Sequence, residues 1–227
     1  MYRLITANRN YSSWSLRPWG LMKALGMPFH DEIRPFAAPV NYEAFRAFSP
    51  TGQVPALIDG DTTVWDSLGI ILFLADRHDG IWPNDAAAKA FAGCAVAEMH
   101  AGFSVLRNAC PMNVGVRVEL GRLGGALAKD VARLAELWGD GIERFGGPYL
   151  AGPDFGAIDA FFAPVAFRVR TYDLDVGEAG KCWVSHILDH PAMREWEAAA
   201  LTETWREVSH EAEVGATGRI IEDYRAI

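Results

Sequence analysis

A polar loop near the start of the chain holds three closely spaced serines, Ser12, Ser13 and Ser15, directly before an apolar segment with helical spacing. Proline is tolerated in the first turn of a helix, so Pro18 predicts that the helix begins near residue 14 or 15. Ser12 and Ser13 then lie in the loop, beside unpaired N–H groups and the positive end of the helix dipole. We therefore predict that Ser12 or Ser13 stabilises an anion, whereas Ser15 is typical of a helix cap.

A second candidate binding segment contains Gln53, Val54 and Pro55 at the start of a strand-like run. Proline cannot donate to a sheet ladder and is confined to edges, strand starts and turns. A cis Val54–Pro55 bond would turn the amide and carbonyl of Val54 outward. Such a backbone offers hydrogen bonds to an extended, peptide-like ligand.

A third candidate is the pair Asp66 and Ser67, which separates a strand from the next apolar helix. Ser67 is the predicted N-cap, and the free amides of the first turn suit a ligand carboxylate. Asp66 can accept a hydrogen bond from a ligand ammonium group. On these two residues alone, a helix cap and a site for a ligand with a carboxylate and an ammonium group are both open.

The elements that position these residues alternate in the first 79 residues. Asp59 and Gly60 between two short strands are a strong hairpin signal. The predicted order is β-α-β-α-β-β-α, an α+β, thioredoxin-like arrangement rather than a repeated βαβ nucleotide-binding sheet. The predicted strands span residues 2–7, 29–36, 54–58 and 62–65, and the predicted helices span 14–25, 42–48 and 68–78.

The sequence pattern changes after Pro83, where strand signals nearly vanish and Ala and Leu recur with helical spacing. We predict an all-α helical bundle packed against the first half, with Asn84 as the first helix cap. The predicted domains are residues 1–79 and 84–227. The predicted helices of the second domain span residues 84–110, 118–145, 157–171, 178–189 and 192–203.

Composition excludes several classes of protein. The 227 residues carry a net charge of −8, of which −7 lies beyond residue 79, and this argues against a nucleic-acid surface. Three distant cysteines, Cys94, Cys110 and Cys182, predict neither disulfides nor a thiolate metal site and favour a reducing cytoplasm. We expect no signal peptide and no membrane span, since the longest apolar run, residues 68–75, is far below the roughly 20 residues required.

Taken together, the three candidate segments and the two halves resemble the cytosolic glutathione transferases over essentially the whole chain. The segment from Tyr11 to Arg17 is similar to the catalytic loop of the serine-type classes, closest to zeta and tau, with Ser12 five residues before Arg17. Val54–Pro55 is similar to the cis-proline site of that family, and Asp66–Ser67 to its γ-glutamyl site.

The second half resembles the same family at the start of its sixth helix. Leu150 to Gly152, with Ile158 and Asp159, is similar to the family's folding signature. Gly156 stands where the family usually has a Ser or Thr cap. Gly is an acceptable but weaker cap, so this departure bears on local stability more than on fold.

The resemblance implies a cytoplasmic, homodimeric glutathione S-transferase with glutathione as co-substrate, no metal, and a detoxification role. It implies that the Ser12 hydroxyl stabilises the thiolate for attack on a small hydrophobic electrophile, with Ser13 as the alternative residue. The implied glutathione-binding residues are Trp14, Gln53, Val54, Pro55, Asp66 and Ser67. Phe103, Met112 and Trp14 are candidates for the electrophile pocket.

Two other functions stay open at this stage. A glutathione-dependent isomerase of maleylacetoacetate type would need a pocket for an acidic substrate, for which Arg168 and Arg170 are candidates. Both are more typical of solvated or dimer-facing charges, and Trp14 replaces the cysteine of the isomerase loop. A non-catalytic glutathione-binding protein is the other alternative. His186 and His190 lack the intervening Glu of a zinc-protease helix, and the glycines at 121, 124 and 125 follow no predicted strand, so neither predicts a site.

Overall fold

The computed structural model describes residues 1–36, 41–121 and 124–226, and for Asn41 the backbone alone. The first half forms one mixed sheet in the strand order β2-β1-β3-β4, in which β1 runs parallel to β2 and antiparallel to β3. The elements follow the predicted β-α-β-α-β-β-α order. They are β1 (Tyr2–Thr6), α1 (Ser13–Ala24), β2 (Phe29–Ile33), α2 (Asn41–Arg46), β3 (Ala56–Asp59), β4 (Thr62–Trp65) and α3 (Ser67–Ala75).

The second half is helical, which confirms the predicted fold class, but it also contains two short strands. Its helices surround α7, of whose 16 residues all but Arg170 are buried. Helix α7 packs against α1 from the first half and against α4 and α8 from its own. The elements are α4 (Ala86–Ala101), α5 (Ser104–Ala109), β5 (Val116–Leu120), α6 (Gly125–Phe145), α7 (Ala157–Tyr172), α8 (Gly177–Asp189), α9 (Pro191–Thr202), α10 (Val208–Thr217) and β6 (Gly218–Asp223).

Three predicted helix boundaries are wrong. Asp85, not Asn84, caps α4, because its carboxylate accepts from the N–H of Ala88 at 2.8 Å. The helix predicted to run to residue 110 breaks at Gly102 and at Phe103, whose φ of 54° is left-handed. Residues 118–120 belong to β5 rather than to the following helix, which begins at Gly125. Residues 122 and 123 of that prediction lie outside the described residues.

Strand β5 pairs with β6, so the end of the described chain returns to the middle of the helical half. Val116 and Val118 are buried while Arg117 and Glu119 face outward, which is the alternation of a half-buried strand. Neither α10 nor β6 was predicted. Their return path brings the C-terminal segment beside the loop between β1 and α1.

The start of α7 depends on one buried carboxylate. Asp159 Oδ1 accepts from the N–H of Leu150 and from Nε1 of Trp183, both at 3.0 Å. Asp159 Oδ2 accepts from the N–H of Gly156, the N-cap residue, at 3.1 Å. The aspartate therefore supplies an acceptor for the N–H of the cap residue and ties the preceding loop to α8.

Candidate functional site

A cleft of about 790 Å³ lies between the two halves and contains every predicted catalytic and glutathione-binding residue. Clefts of this size accommodate small ligands and cofactors. Three chain segments that are far apart in sequence meet there, around residues 12, 54 and 66. The predicted residues on its wall are Ser12, Ser13, Trp14, Gln53, Val54, Pro55, Asp66 and Ser67.

The helix after the serine loop begins one or two residues earlier than predicted. Helix α1 begins at Ser13, so Ser12 is the N-cap residue and Pro18 lies in the second turn. Ser12 makes no side-chain cap bond; its Oγ donates to Ser15 Oγ at 2.7 Å. Ser15 is not the cap but lies inside the helix, where its Oγ also accepts from the N–H of Ala7 at 3.3 Å.

Ser13 faces a buried arginine from the helical half. Arg168 Nη2 lies 3.5 Å from Ser13 Oγ, and the guanidinium also donates to the carbonyls of Cys110 at 2.7 Å and Pro164 at 3.2 Å. Arg168 is 4% exposed, so its reading as a solvated charge is wrong. Burial lowers the pKa of Arg168 to about 10, which leaves it charged at neutral pH.

Arg17 is a second buried cation behind the serine loop, and sequence reasoning used it only as a motif marker. Its guanidinium carbon lies 4.0 Å from the Trp14 ring centroid and 4.6 Å from that of Phe161. Its Nη1 donates to Ser67 Oγ at 3.4 Å, which links the first loop to the third segment. The pKa of Arg17 is lowered to about 9, mainly by burial and to a smaller extent by repulsion from Arg168.

The second and third segments approach each other across the sheet. The Val54–Pro55 peptide bond is cis, and β3 starts at the following residue. Asp66, not Ser67, is the N-cap of α3, because its Oδ1 accepts from the N–H groups of Leu68 at 2.7 Å and Gly69 at 3.4 Å. Ser67 is the first helical residue and is fully buried.

The family model for the glutathione S-transferase N-terminal domain matches residues 11–77. This range contains the serine loop, the Val54–Pro55 bond and the Asp66–Ser67 pair. Residues 11–77 therefore belong to the glutathione S-transferase N-terminal domain family. The resemblance to the cytosolic glutathione transferases that the sequence predicts is confirmed for this part of the chain.

Individual members of the family match different shares of the chain. Mouse glutathione S-transferase theta-1 is 27% identical over 189 residues, which are 74% of this chain and 71% of the mouse protein. Glutathione S-transferase 1 of Dianthus caryophyllus is 25% identical over 142 residues, 59% of this chain and 62% of that protein. Dichloromethane dehalogenase of Methylophilus leisingeri is 42% identical over 53 residues, 22% of this chain, and the match spans only 20% of that enzyme's length.

Solved structures of the family share the fold. A glutathione transferase homolog from Burkholderia with bound glutathione superposes with a TM-score of 0.66 at 19% identity, over 88% of this chain and 97% of that one. A tau-class glutathione S-transferase from mango gives a TM-score of 0.66 at 16% identity, over 88% of this chain and 95% of that one.

The helical half of the chain supplies the opposite wall of the cleft. Met112 lines the cleft as suggested, but Phe103 packs beneath it against Phe162, with ring centroids 6.4 Å apart. Sequence reasoning missed most of this wall, because it contains no motif. Its residues are His100, Arg107, Asn108, Pro111, Met112 and Arg168, with His210 and Glu213 from α10.

Other candidate features fall outside the cleft. Arg170 donates to Glu197 at 3.0 Å on the far side of α7. His186 and His190 both pack against the Tyr149 ring, and the described residues contain no group of three or more potential metal ligands. In the described ranges no helix has both the length and the apolar character needed to cross a bilayer.

Proposed function

We propose that this chain is a glutathione transferase, which binds glutathione, stabilises its thiolate through the hydroxyl of Ser12, and transfers the sulfur to an electrophile. The observation that supports the proposal best is the meeting of Ser12, Val54 and Asp66 in one cleft. These three positions offer, in turn, a hydroxyl donor, a peptide-like backbone and a carboxylate. A tripeptide with a thiol, two amides and charged ends can use all three.

The chemical step depends on the protonation state of the sulfur. A free thiol has a pKa near ~8.5 and is mostly protonated at neutral pH, whereas the thiolate is the nucleophile. A hydrogen bond from Ser12 favours the anion and lowers the thiol pKa without removing the proton itself. The N-terminus of α1 and the guanidinium of Arg168 add positive potential at the same end of the cleft.

The ends of glutathione are recognised by groups already present in the cleft. Asp66 accepts from the γ-glutamyl ammonium, while the hydroxyl and the N–H of Ser67 bind the adjacent carboxylate. The backbone of Val54 pairs with the cysteinyl unit. Gln53 and Trp14 also line the cleft and provide further contacts to the tripeptide.

A second candidate concerns the partner substrate rather than glutathione. Within the described parts of the chain, Arg17, Arg107 and Arg168 form no ion pair with a carboxylate, and the last two line the cleft. A buried guanidinium without a counter-ion is costly, so an anionic substrate would be favoured there over a neutral apolar one. This supports a glutathione-dependent isomerase acting on an acidic substrate of maleylacetoacetate type.

A homodimer and a cytoplasmic location complete the proposal. Trp65 and Leu72, at the end of β4 and on α3, are 45% and 50% exposed. Trp65 also lines the cleft, so Leu72 is the side chain available to a second copy, and the homodimer itself rests on the resemblance to the family. Sedimentation analysis of the purified protein measures the oligomeric state directly.

One set of assays separates these functions. The thiolate absorbance of bound glutathione is titrated against pH, and turnover is measured with a chlorinated nitrobenzene, with an acidic cis-alkene substrate and with an electrophile panel, each with and without glutathione. A bound thiol pKa below the free value together with conjugation supports the transferase. Isomerisation of the acidic alkene supports the second candidate, and failure to isomerise it while conjugation proceeds rejects that candidate. Retention on a glutathione column without any turnover identifies a binding protein instead.

A further inference from the structure

The turn that precedes Ser12 is buried and is held from the other half of the molecule. Asn8 and Asn10 are fully buried and Arg9 is 2% exposed. The turn closes on itself where the N–H of Ser12 donates to the carbonyl of Asn8 at 2.9 Å. Arg9 and Asn10 lie inside this turn, so their placement constrains the position of Ser12.

Glu203, directly after α9, accepts three hydrogen bonds from this turn. Its Oε1 accepts from the N–H of Arg9 at 2.6 Å, and its Oε2 accepts from the N–H of Asn10 at 3.2 Å and from Asn10 Nδ2 at 3.3 Å. Glu203 is 7% exposed, so these bonds form in a water-poor environment. Bonds from N–H groups to a carboxylate are stronger than those between neutral groups.

The remaining backbone groups of the same two residues also bond to the helical half. Trp196 Nε1 donates to the carbonyl of Arg9 at 2.9 Å. The N–H of Val114 donates to the carbonyl of Asn10 at 3.3 Å. All four main-chain polar groups of Arg9 and Asn10 are therefore paired with residues more than 100 positions away.

The three N–H donors that face position 203 require a carboxylate there. The three donors point at one side chain, and a carboxylate has two acceptor oxygens and no hydrogen to oppose them. A glutamine of the same length would present one oxygen and an NH₂ group, which would face an N–H. A methionine would fill the space and accept no strong hydrogen bond.

We propose that Glu203 is a positioning residue for the transferase reaction, whose carboxylate holds the Arg9–Asn10 turn so that Ser12 presents its hydroxyl to the glutathione sulfur. The inference rests on the proposed function of Ser12. Control of the serine loop then lies in the part of the chain that follows α9. The same part of the chain forms β6, which pairs with β5.

The test compares Glu203→Gln and Glu203→Met with Glu197→Gln as the matched control. Glu197 lies on α9, the helix that Glu203 follows, and bonds to Arg170, away from the loop. We expect the bound thiol pKa to rise in the order wild type, Gln, Met, and kcat at neutral pH to fall about tenfold for Met, the effect of losing roughly one such hydrogen bond. KM for glutathione should change less than about threefold, because the contacts to Val54 and Asp66 persist. Amide hydrogen exchange at Arg9 and Asn10 should accelerate in both variants and not in the control.

Different outcomes overturn different claims. If Ser12→Ala raises the bound thiol pKa but Glu203→Gln and Glu203→Met leave both that pKa and kcat at the wild-type values, the positioning role is wrong and the transferase proposal stands. A lower kcat with an unchanged thiol pKa and unchanged loop exchange also contradicts it. If the wild-type protein binds glutathione with the thiol pKa of the free tripeptide, the proposed function itself fails.

Discussion

Ser12 Oγ donates to Ser15 Oγ across 2.7 Å, so the hydroxyl hydrogen of the N-cap residue is aimed back into helix α1. To serve glutathione, Ser12 must exchange this neutral acceptor for the sulfur anion. A charged acceptor forms the stronger hydrogen bond, so the exchange is favourable once the thiolate forms. The proposed role of Ser12 thus depends on a rotation of one side chain and on a fixed turn behind it.

Replacing Ser12 by Ala removes the proposed donor to the sulfur. A hydrogen bond to a charged group contributes about 1.5–3 kcal/mol. At about 1.36 kcal/mol per pKa unit, the bound thiol pKa should rise by about 1–2 units. Ser13→Ala should raise it by less than half of that amount. Titration of the thiolate absorbance in the two variants measures both shifts, and a larger effect of Ser13→Ala would assign the donor to Ser13.

Replacing Asp66 by Asn separates the cap of α3 from the proposed ammonium contact. Asparagine caps a helix about as well as aspartate, so the free energy of unfolding should change by only a few tenths of a kcal/mol. The lost charge should raise KM for glutathione about tenfold, because a charge-assisted contact becomes a neutral one. Asp85→Asn is the control, since Asp85 caps α4 in the same way but lies outside the cleft. Equal KM values for both variants would show that Asp66 only caps the helix.

Replacing Arg168 by Met tests whether the partner substrate is acidic. For an electrophile that carries a carboxylate, kcat/KM should fall about 10- to 100-fold, and for an uncharged electrophile it should change less than about threefold. Arg170→Met removes a similar charge two positions away, where the arginine bonds to Glu197 instead of lining the cleft. Steady-state kinetics with a matched acid and amide pair provide the comparison. A uniform loss on both substrates would indicate that Arg168 only supports the packing of α7.

Local patterns were enough to predict the segments that meet in the cleft. The alternation of short strands and helices, the Asp59–Gly60 turn and the position of Val54–Pro55 are all properties of neighbouring residues. The ends of elements were less predictable, because Asp66 and Ser67 are both good cap residues and boundaries differ by a residue or two. The cap is Asp66 instead of the predicted Ser67, and both residues still line the cleft.

Contacts between distant residues could not be predicted in the same way. Strand β5 has its partner about 100 residues later, so its last three residues, 118–120, are indistinguishable from the start of a helix in the sequence alone. Arg168 on a helix resembles a solvated charge until Cys110 and Ser13 are known to face it. Glu203 gave no signal, because its function lies in backbone donors of a loop nearly 200 positions away.

The buried carboxylate of Asp159 should make stability depend on pH with a recognisable sign. Burial raises the pKa of Asp159 from 3.8 to about 6, although the bonds from Leu150, Trp183 and Gly156 oppose the shift. A group whose pKa is higher in the folded state stabilises the fold fully below its unfolded pKa and loses that contribution as the pH rises through the folded pKa. The term therefore declines by about 3 kcal/mol between pH 4 and pH 7. In urea unfolding, the free energy of unfolding of wild type should fall by this amount relative to that of Asp159→Asn, which does not titrate, as the pH rises from 4 to 7. Parallel curves across this range would contradict the assignment.

Asp159→Ala should lower the free energy of unfolding by about 3–5 kcal/mol at pH 5, since it leaves three buried N–H donors without an acceptor. Asp140→Ala is the control, because Asp140 forms an exposed pair with Arg144, and it should lower the free energy of unfolding by under about 0.5 kcal/mol.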